Sequence, residues 1–219
     1  MSIKHPIIVI TGSSGAGTST VRGTFEEIFR REGVVPAIVE GDAFHRYDRD
    51  TMEEKMIEMQ RQGYANFSHF GPEANLFEEL EALFREYGER GSGRVRRYLH
   101  NEEEARPYGL KAGTFTPWEG LAAGTNVLFY EGLHGAVKTE KVNIARHADL
   151  LVGIVPSINL EWIQKLHRDK SARGQTHEPH ARLHKLYLSA VFRDARQFPA
   201  RPHRRHVQPL HRTTYPKSG

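Results

Sequence analysis

The chain contains no cysteine. That absence excludes disulfide cross-links, thiolate metal sites and thiol-based redox switching. Long apolar runs are missing too: none approaches the ~20 residues that a membrane-spanning helix needs. The N-terminus passes directly into a short apolar run, so no secretory leader is expected. A soluble, cytoplasmic protein is therefore expected. Strong charge is absent over most of the length. The net charge is +4, but residues 175–219 hold nine basic against two acidic side chains, a net of +7. The first 174 residues hold 22 against 25, a net of −3, the balance of an ordinary enzyme. At 219 residues there is enough chain for one full domain with a core.

The most informative stretch is Pro6-Ile-Ile-Val-Ile-Thr11 running into Gly12, Ser13, Ser14, Gly15, Ala16, Gly17, Thr18, Ser19 and Thr20. A β-branched apolar run reads as a buried strand, and the glycines allow a tight return of the backbone. A helix-forming segment follows, so free N–H groups and the positive end of a helix dipole meet at one place, a cradle for nucleotide phosphates. The spacing fits G-x-x-x-x-G-K-[ST] except that Thr18 stands where lysine is usual; Ser19 keeps the hydroxyl that touches Mg²⁺ in such loops.

Residues 20–32 read as a helix with Val21, Phe25, Ile28 and Phe29 on one stripe and Gly33 as its terminator. Residues 37–40 read as a second strand, and 73–87 as an amphipathic helix carrying Leu76, Phe77, Leu80, Leu83, Phe84 and Tyr87. Residues 88–124 read as loops and small hairpins, 127–130 and 150–155 as further strands, and 160–173 as a short helix. Strands alternating with helices imply an α/β fold, a mostly parallel sheet covered on both faces with ligands at the carboxyl ends of the strands.

Carboxylates fall where that architecture places chemistry. Asp42 follows the second strand and Glu131 the third. Both suit Mg²⁺ or its water shell beside a phosphate loop. Asp42 better suits the general base, because His45, Arg46 and Arg49 follow it as an anion-binding cluster. On the last predicted helix, Lys165 and Arg168 share a face with Asp169, and Arg173 lies just beyond; such a lid supplies the cation that Thr18 does not.

The segments GSSGAGTST, EGDAFHR, NFSHF with EAN, FYEGLHGA and NLEWIQKLHRDKSARG resemble the bacterial phosphoribulokinase family over residues 1 to about 174. The resemblance implies a P-loop kinase that transfers the γ-phosphoryl group of ATP to O1 of ribulose 5-phosphate, giving ribulose 1,5-bisphosphate for the Calvin cycle. It implies Asp42 as catalytic base and Glu131 as a second, metal-associated acid. His45 and Arg49 correspond to residues that hold the sugar phosphate. Lys165, Arg168 and Arg173 correspond to basic residues in substrate and transition-state contacts, and Asp169 to a further acid of the lid. Thr18 in place of lysine is itself a trait of the bacterial type. Bacterial relatives are homo-oligomers activated by NADH, and the cysteine pair that switches plant-type enzymes has no counterpart here. A small-metabolite kinase of the uridine or pantothenate kinase type is the alternative enzyme, and an inactive nucleotide-binding remnant the non-enzymatic one.

The resemblance stops near Gln175. Six of the 13 histidines and five of the 11 prolines lie beyond Gly174, and past Ala195 no window carries a periodic apolar pattern. The tract has neither the ligand spacing of a metal site nor the aromatic interleaving of a nucleic-acid binder. Its Arg/Pro/His/Ala mixture is what GC-rich DNA yields out of frame, so 175–219 is expected to be an altered reading of the gene's 3′ portion.

Overall fold

The computed structural model describes residues 5–13, 15–64 and 66–155. The helix expected at 160–173 and the 175–219 tract lie outside the described residues. Four parallel strands form the main sheet: β1 (Ile7–Gly12), β2 (Pro36–Glu40), β5 (Val127–Gly132) and β6 (Leu150–Ile154), in the order β2-β5-β1-β6. Each strand lies within two residues of its expected limits. β1 is flanked by β5 and β6, so the chain must leave the sheet between strands; helices α1 (Thr18–Glu32) and α3 (Phe77–Arg90) make those crossings.

Side-chain alternation along β5 explains the two-faced core. Leu128 and Tyr130 join Ile7, Val9 and Val39 against Phe77, Leu80, Leu83, Phe84 and Tyr87 of α3. Val127 and Phe129 join Ile10 against Phe29, with Val21 and Phe25 of α1 packed on the same cluster. Phe25, Phe29 and Phe129 meet with ring centroids 5.3–5.8 Å apart. Burial on both faces is what a β-branched and aromatic strand without polar alternation encodes.

Three local features differ from the sequence expectation. α1 begins at Thr18 rather than Thr20, so the end of the glycine loop is already the first helical turn. α3 begins at Phe77, because Pro72–Ala74 forms a separate 3₁₀ turn, and it runs on to Arg90. An unexpected helix, α2, spans Arg49–Arg61. It buries only Met52, and its start is fixed by the Asp48 side chain accepting from the Thr51 N–H at 2.8 Å. Within 88–124 the expected hairpin is the pair β3 (Arg94–Val95) and β4 (Glu119–Gly120), antiparallel, with a short helix α4 (Glu102–Ala105) between them.

Candidate active site

Register brings the predicted site together. Glu40 pairs with Glu131, Thr11 with Gly132 and Gly12 with Ile154, so the phosphate loop and the turns after β2 and β5 emerge from one edge of the sheet. In the loop, the Ala16 N–H donates to the Ser13 carbonyl at 2.9 Å. Gly17 caps α1 at φ 94°, a left-handed conformation that a side chain would oppose. The first turn of this 15-residue helix holds no acidic residue and no side chain caps it, which suits its N–H end to an anion. Gly12, Ser13, Gly15, Ala16, Thr18, Ser19 and Thr20 all belong to this arrangement; Ser14 is outside the described residues.

Thr18 donates its hydroxyl to the Glu131 carboxylate. Burial pushes Glu131 above the ordinary glutamate value; the Thr18 hydrogen bond and Arg22 oppose that, while the neighbouring charges of Glu40 and Asp42 add to it. Arg22, one turn beyond Thr18, pairs with Glu40 at 2.5 Å and Glu26 at 2.8 Å. A cation is therefore present on this helix, but it is bound to carboxylates.

Asp42 sits in a 3₁₀ turn, Gly41–Phe44. Its two oxygens face different histidines: Oδ1 is 3.3 Å from Nε2 of His45, and Oδ2 is 3.5 Å from Nε2 of His100. The buried Asn75 fixes the His45 tautomer. The Asn75 amide donates to the carbonyls of His69 (2.8 Å) and Gly71 (2.7 Å), so its oxygen must accept from Nδ1 of His45 at 2.9 Å. With Nδ1 protonated, Nε2 donates to Asp42 only in the imidazolium form. Burial opposes that charge, but the bond to Asp42 and its negative charge outweigh burial, and the His45 pKa rises.

The glycines of both acidic turns have a shared cause. The fully buried Tyr130 hydroxyl lies near the His134 amide and makes no hydrogen bond of good geometry. A Cβ on Gly41 would stand 2.6 Å from it, and one on Gly132 would stand 2.8 Å from both it and the Gly41 Cα. Only glycine lets the two turns close over the phenol. His134, also buried, has its Nε2 3.4 Å from the Phe70 carbonyl, and burial drives its pKa down to about 4.

Arg46 and Arg49, expected as anion binders, are engaged with backbone here. Arg46 donates to the Glu73 and Asn75 carbonyls, and Arg49 to the His100 carbonyl at 2.7 Å. Sequence reasoning did not select His100, Asn75, Arg22 or Arg96, whose contacts join segments far apart in the chain. Lys165, Arg168, Asp169 and Arg173 lie outside the described residues. Among the described residues no group of three or more His, Asp and Glu side chains is arranged to hold a metal ion by itself.

An open parallel sheet with a glycine-rich phosphate loop after its first strand and acidic turns at the same edge defines a P-loop α/β protein. The model of the phosphoribulokinase / uridine kinase family matches residues 7–185, and the chain belongs to that family. It is 62% identical over 178 residues to the chromosomal phosphoribulokinase of Cupriavidus necator, covering 81% of this chain and 61% of that protein. It is 61% identical over 175 residues to the phosphoribulokinase of Nitrobacter vulgaris, covering 80% and 60%. Among solved structures, the phosphoribulokinase from Rhodobacter spheroides superposes with a TM-score of 0.75 at 50% identity, covering 87% of this chain and 65% of that one. A putative fructose transport system kinase from Silicibacter shares the fold alone, with a TM-score of 0.62 at 16% identity over 88% of this chain and 86% of that one. The chain spans about 61% of the length of the first of these curated relatives.

Proposed function

We propose that the chain catalyses ATP-dependent phosphorylation of ribulose 5-phosphate to ribulose 1,5-bisphosphate. The observation that carries this reading is Asp42, partly exposed and held between His45 and His100 at the edge where the phosphate loop opens. Asp42 is the base that takes the proton of the attacking hydroxyl. His45, as imidazolium, holds the carboxylate in one orientation and adds positive charge for an anionic sugar. The loop amides from Gly12 to Thr20 hold the ATP phosphates. Lys165, Arg168 and Arg173, with Asp169 beside them, complete the charge balance that Thr18 and the paired Arg22 leave open.

Mg²⁺ fits the donors present. Glu131 and the Ser19 hydroxyl are hard oxygen ligands, and the mutual repulsion of Glu131, Glu40 and Asp42 marks an excess of negative charge there. When bound, Mg²⁺ neutralises charge on the transferring phosphates. Asp42 faces histidine through both oxygens, so its part toward the metal is through charge and the water shell. No described helix is long and apolar enough to cross a membrane; a cytoplasmic location, homo-oligomerisation and activation by NADH belong to the same reading, and light scattering and an NADH titration test the last two.

The decisive experiment is ADP release by the 219-residue chain with Mg²⁺–ATP, with and without ribulose 5-phosphate, beside Asp42→Asn. Turnover should require the sugar phosphate and fall by roughly 10²–10⁴-fold in the variant, the usual worth of a general base. Turnover with uridine or pantothenate instead, or an Asp42→Asn enzyme as fast as the parent, would refute the assignment.

A further inference from the structure

The excursion between α3 and β5 contains three closely spaced arginines, Arg94, Arg96 and Arg97, and of these only Arg96 is withdrawn from solvent. Its Nε donates to the Ala43 carbonyl at 2.9 Å and its Nη2 to the His45 carbonyl at 2.5 Å. The guanidinium carbon lies 3.7 Å from the centroid of the Phe115 ring and 4.9 Å from that of Trp118. Trp118 in turn meets Phe44 edge-on at 5.7 Å. Among the described residues no carboxylate pairs with this arginine; Glu79 acts on it only through space.

A half-buried cation without a counter-ion is costly, so its retention needs a reason. Aromatic faces recover part of the cost. The remainder points to the two carbonyls that it grips, which bracket Phe44 in the turn that carries Asp42 and His45. The frame behind it is built for the purpose. β3 and β4 pair across Val95 and Glu119, Arg97 and Thr116 exchange hydrogen bonds in both directions, and Tyr98 bridges Phe115. These pairings set Arg96 opposite its aromatic cage. Four residues on, the same excursion delivers His100 to the other side of the turn, against Asp42 itself.

We infer that Arg96 is a positioning residue. It clamps the Gly41–His45 turn through its backbone so that Asp42 and His45 face the crevice, and the two-stranded sheet exists to present it. The inference rests on the proposed function for its catalytic consequence, but the clamp can be read without any turnover.

Two variants of the full chain separate the outcomes. Arg96→Met keeps the stem and loses every donor; Arg96→Lys keeps charge but reaches one carbonyl at best, lacking the planar fork. Hydrogen–deuterium exchange reads the turn directly, because the His45 and Arg46 amides donate to the carbonyls of Asp42 and Ala74. In Arg96→Met, exchange over 41–46 should quicken by about tenfold or more while β1 and β5 stay unchanged, with Arg96→Lys between. With ribulose 5-phosphate, kcat should fall by about 10–10²-fold, as a displacement near 1 Å does, at an ATP KM that stays within about twofold. Unaltered exchange over 41–46, or equal acceleration in the sheet strands, overturns the clamp. A parent chain without turnover counts against the proposed function, and the exchange comparison then decides the clamp alone.

Discussion

The two sides of the crevice are built by different means. On the side of the glycine-rich loop the proposed phosphate site is built by backbone: two left-handed glycines, Gly15 and Gly17, and the first turn of α1, all within nine residues. On the acceptor side, Asp42 is held by side chains from separate segments, with His45 braced by Asn75, Arg96 behind the turn and His100 in front. A backbone site needs only its local conformation, whereas a side-chain site needs every supporting segment in place. Substitutions should therefore act unequally. Asp42→Asn should remove roughly 10²–10⁴-fold of turnover. Ser13→Ala, which keeps the carbonyl that Ala16 uses, should leave the ATP KM within about threefold. Steady-state kinetics with each substrate varied in turn measure both, and a large KM effect from Ser13→Ala would break the contrast.

His134 gives the next largest effect. It is buried against Phe77 and the Phe70 carbonyl, and its pKa falls to about 4 from the ordinary 6.5. The folded state thus refuses a proton that the unfolded chain accepts. The stability that His134 confers is complete above pH 6.5 and declines as pH falls toward 4, by roughly 3 kcal/mol in all. Denaturant unfolding at pH 7.5, 6, 5 and 4 should show that decline, and His134→Gln, which keeps a donor for Phe70, should flatten it. Equal slopes in the two proteins would mean that His134 is protonated in the native state.

Gly41 tests how tightly the two acidic turns are joined. Gly41→Ala sets a methyl 2.6 Å from the Tyr130 oxygen and 3.0 Å from the Gly132 Cα, and should cost about 1–3 kcal/mol of stability. Adding Tyr130→Phe removes the nearest of those atoms, so the double variant should recover part of the loss. A double-mutant cycle on unfolding free energies measures the coupling; strict additivity would separate the phenol from the glycine.

This contrast also explains what was legible in the sequence. The phosphate loop, the strands and the stripe of α3 are local patterns, readable from adjacent residues. α2 is not among the expected elements although Met52, Met56 and Met59 fall at i, i+4 and i+7 behind the Asp48 cap; the stripe is weak, with only Met52 buried. The helix start expected at residue 73 lies four residues before that of α3 because Pro72–Ala74 adopts a 3₁₀ turn, which is followed by Asn75 bonded to His45. Asp42 and Glu131 are marked by their places after strands and His45 by the basic cluster that follows Asp42, and register brings the two acidic turns to one edge. Their supports were not legible, because Arg96 meets Ala43 across 53 positions and Asn75 meets His45 across 30. No periodicity encodes such pairings.

Arg22 is the one described residue that links the two sides by charge, joining α1 to Glu40 at the end of β2. Its side chain retains 27% exposure and that of Glu40 41%, so water screens the pair despite the short contact. Burial works against the Arg22 charge, the bonds to Glu26 and Glu40 favour it, and its pKa rises. Arg22→Met should lower stability by no more than about 1 kcal/mol, the upper range for exposed ion pairs. Most of that difference should vanish in 1 M NaCl, where the screening length is ~3 Å. Unfolding of both proteins at low and high salt checks it. A loss well above 1 kcal/mol that survives salt would show the phosphate helix and the acceptor strand locked by this pair, and the two sides of the crevice would then be one mechanical unit.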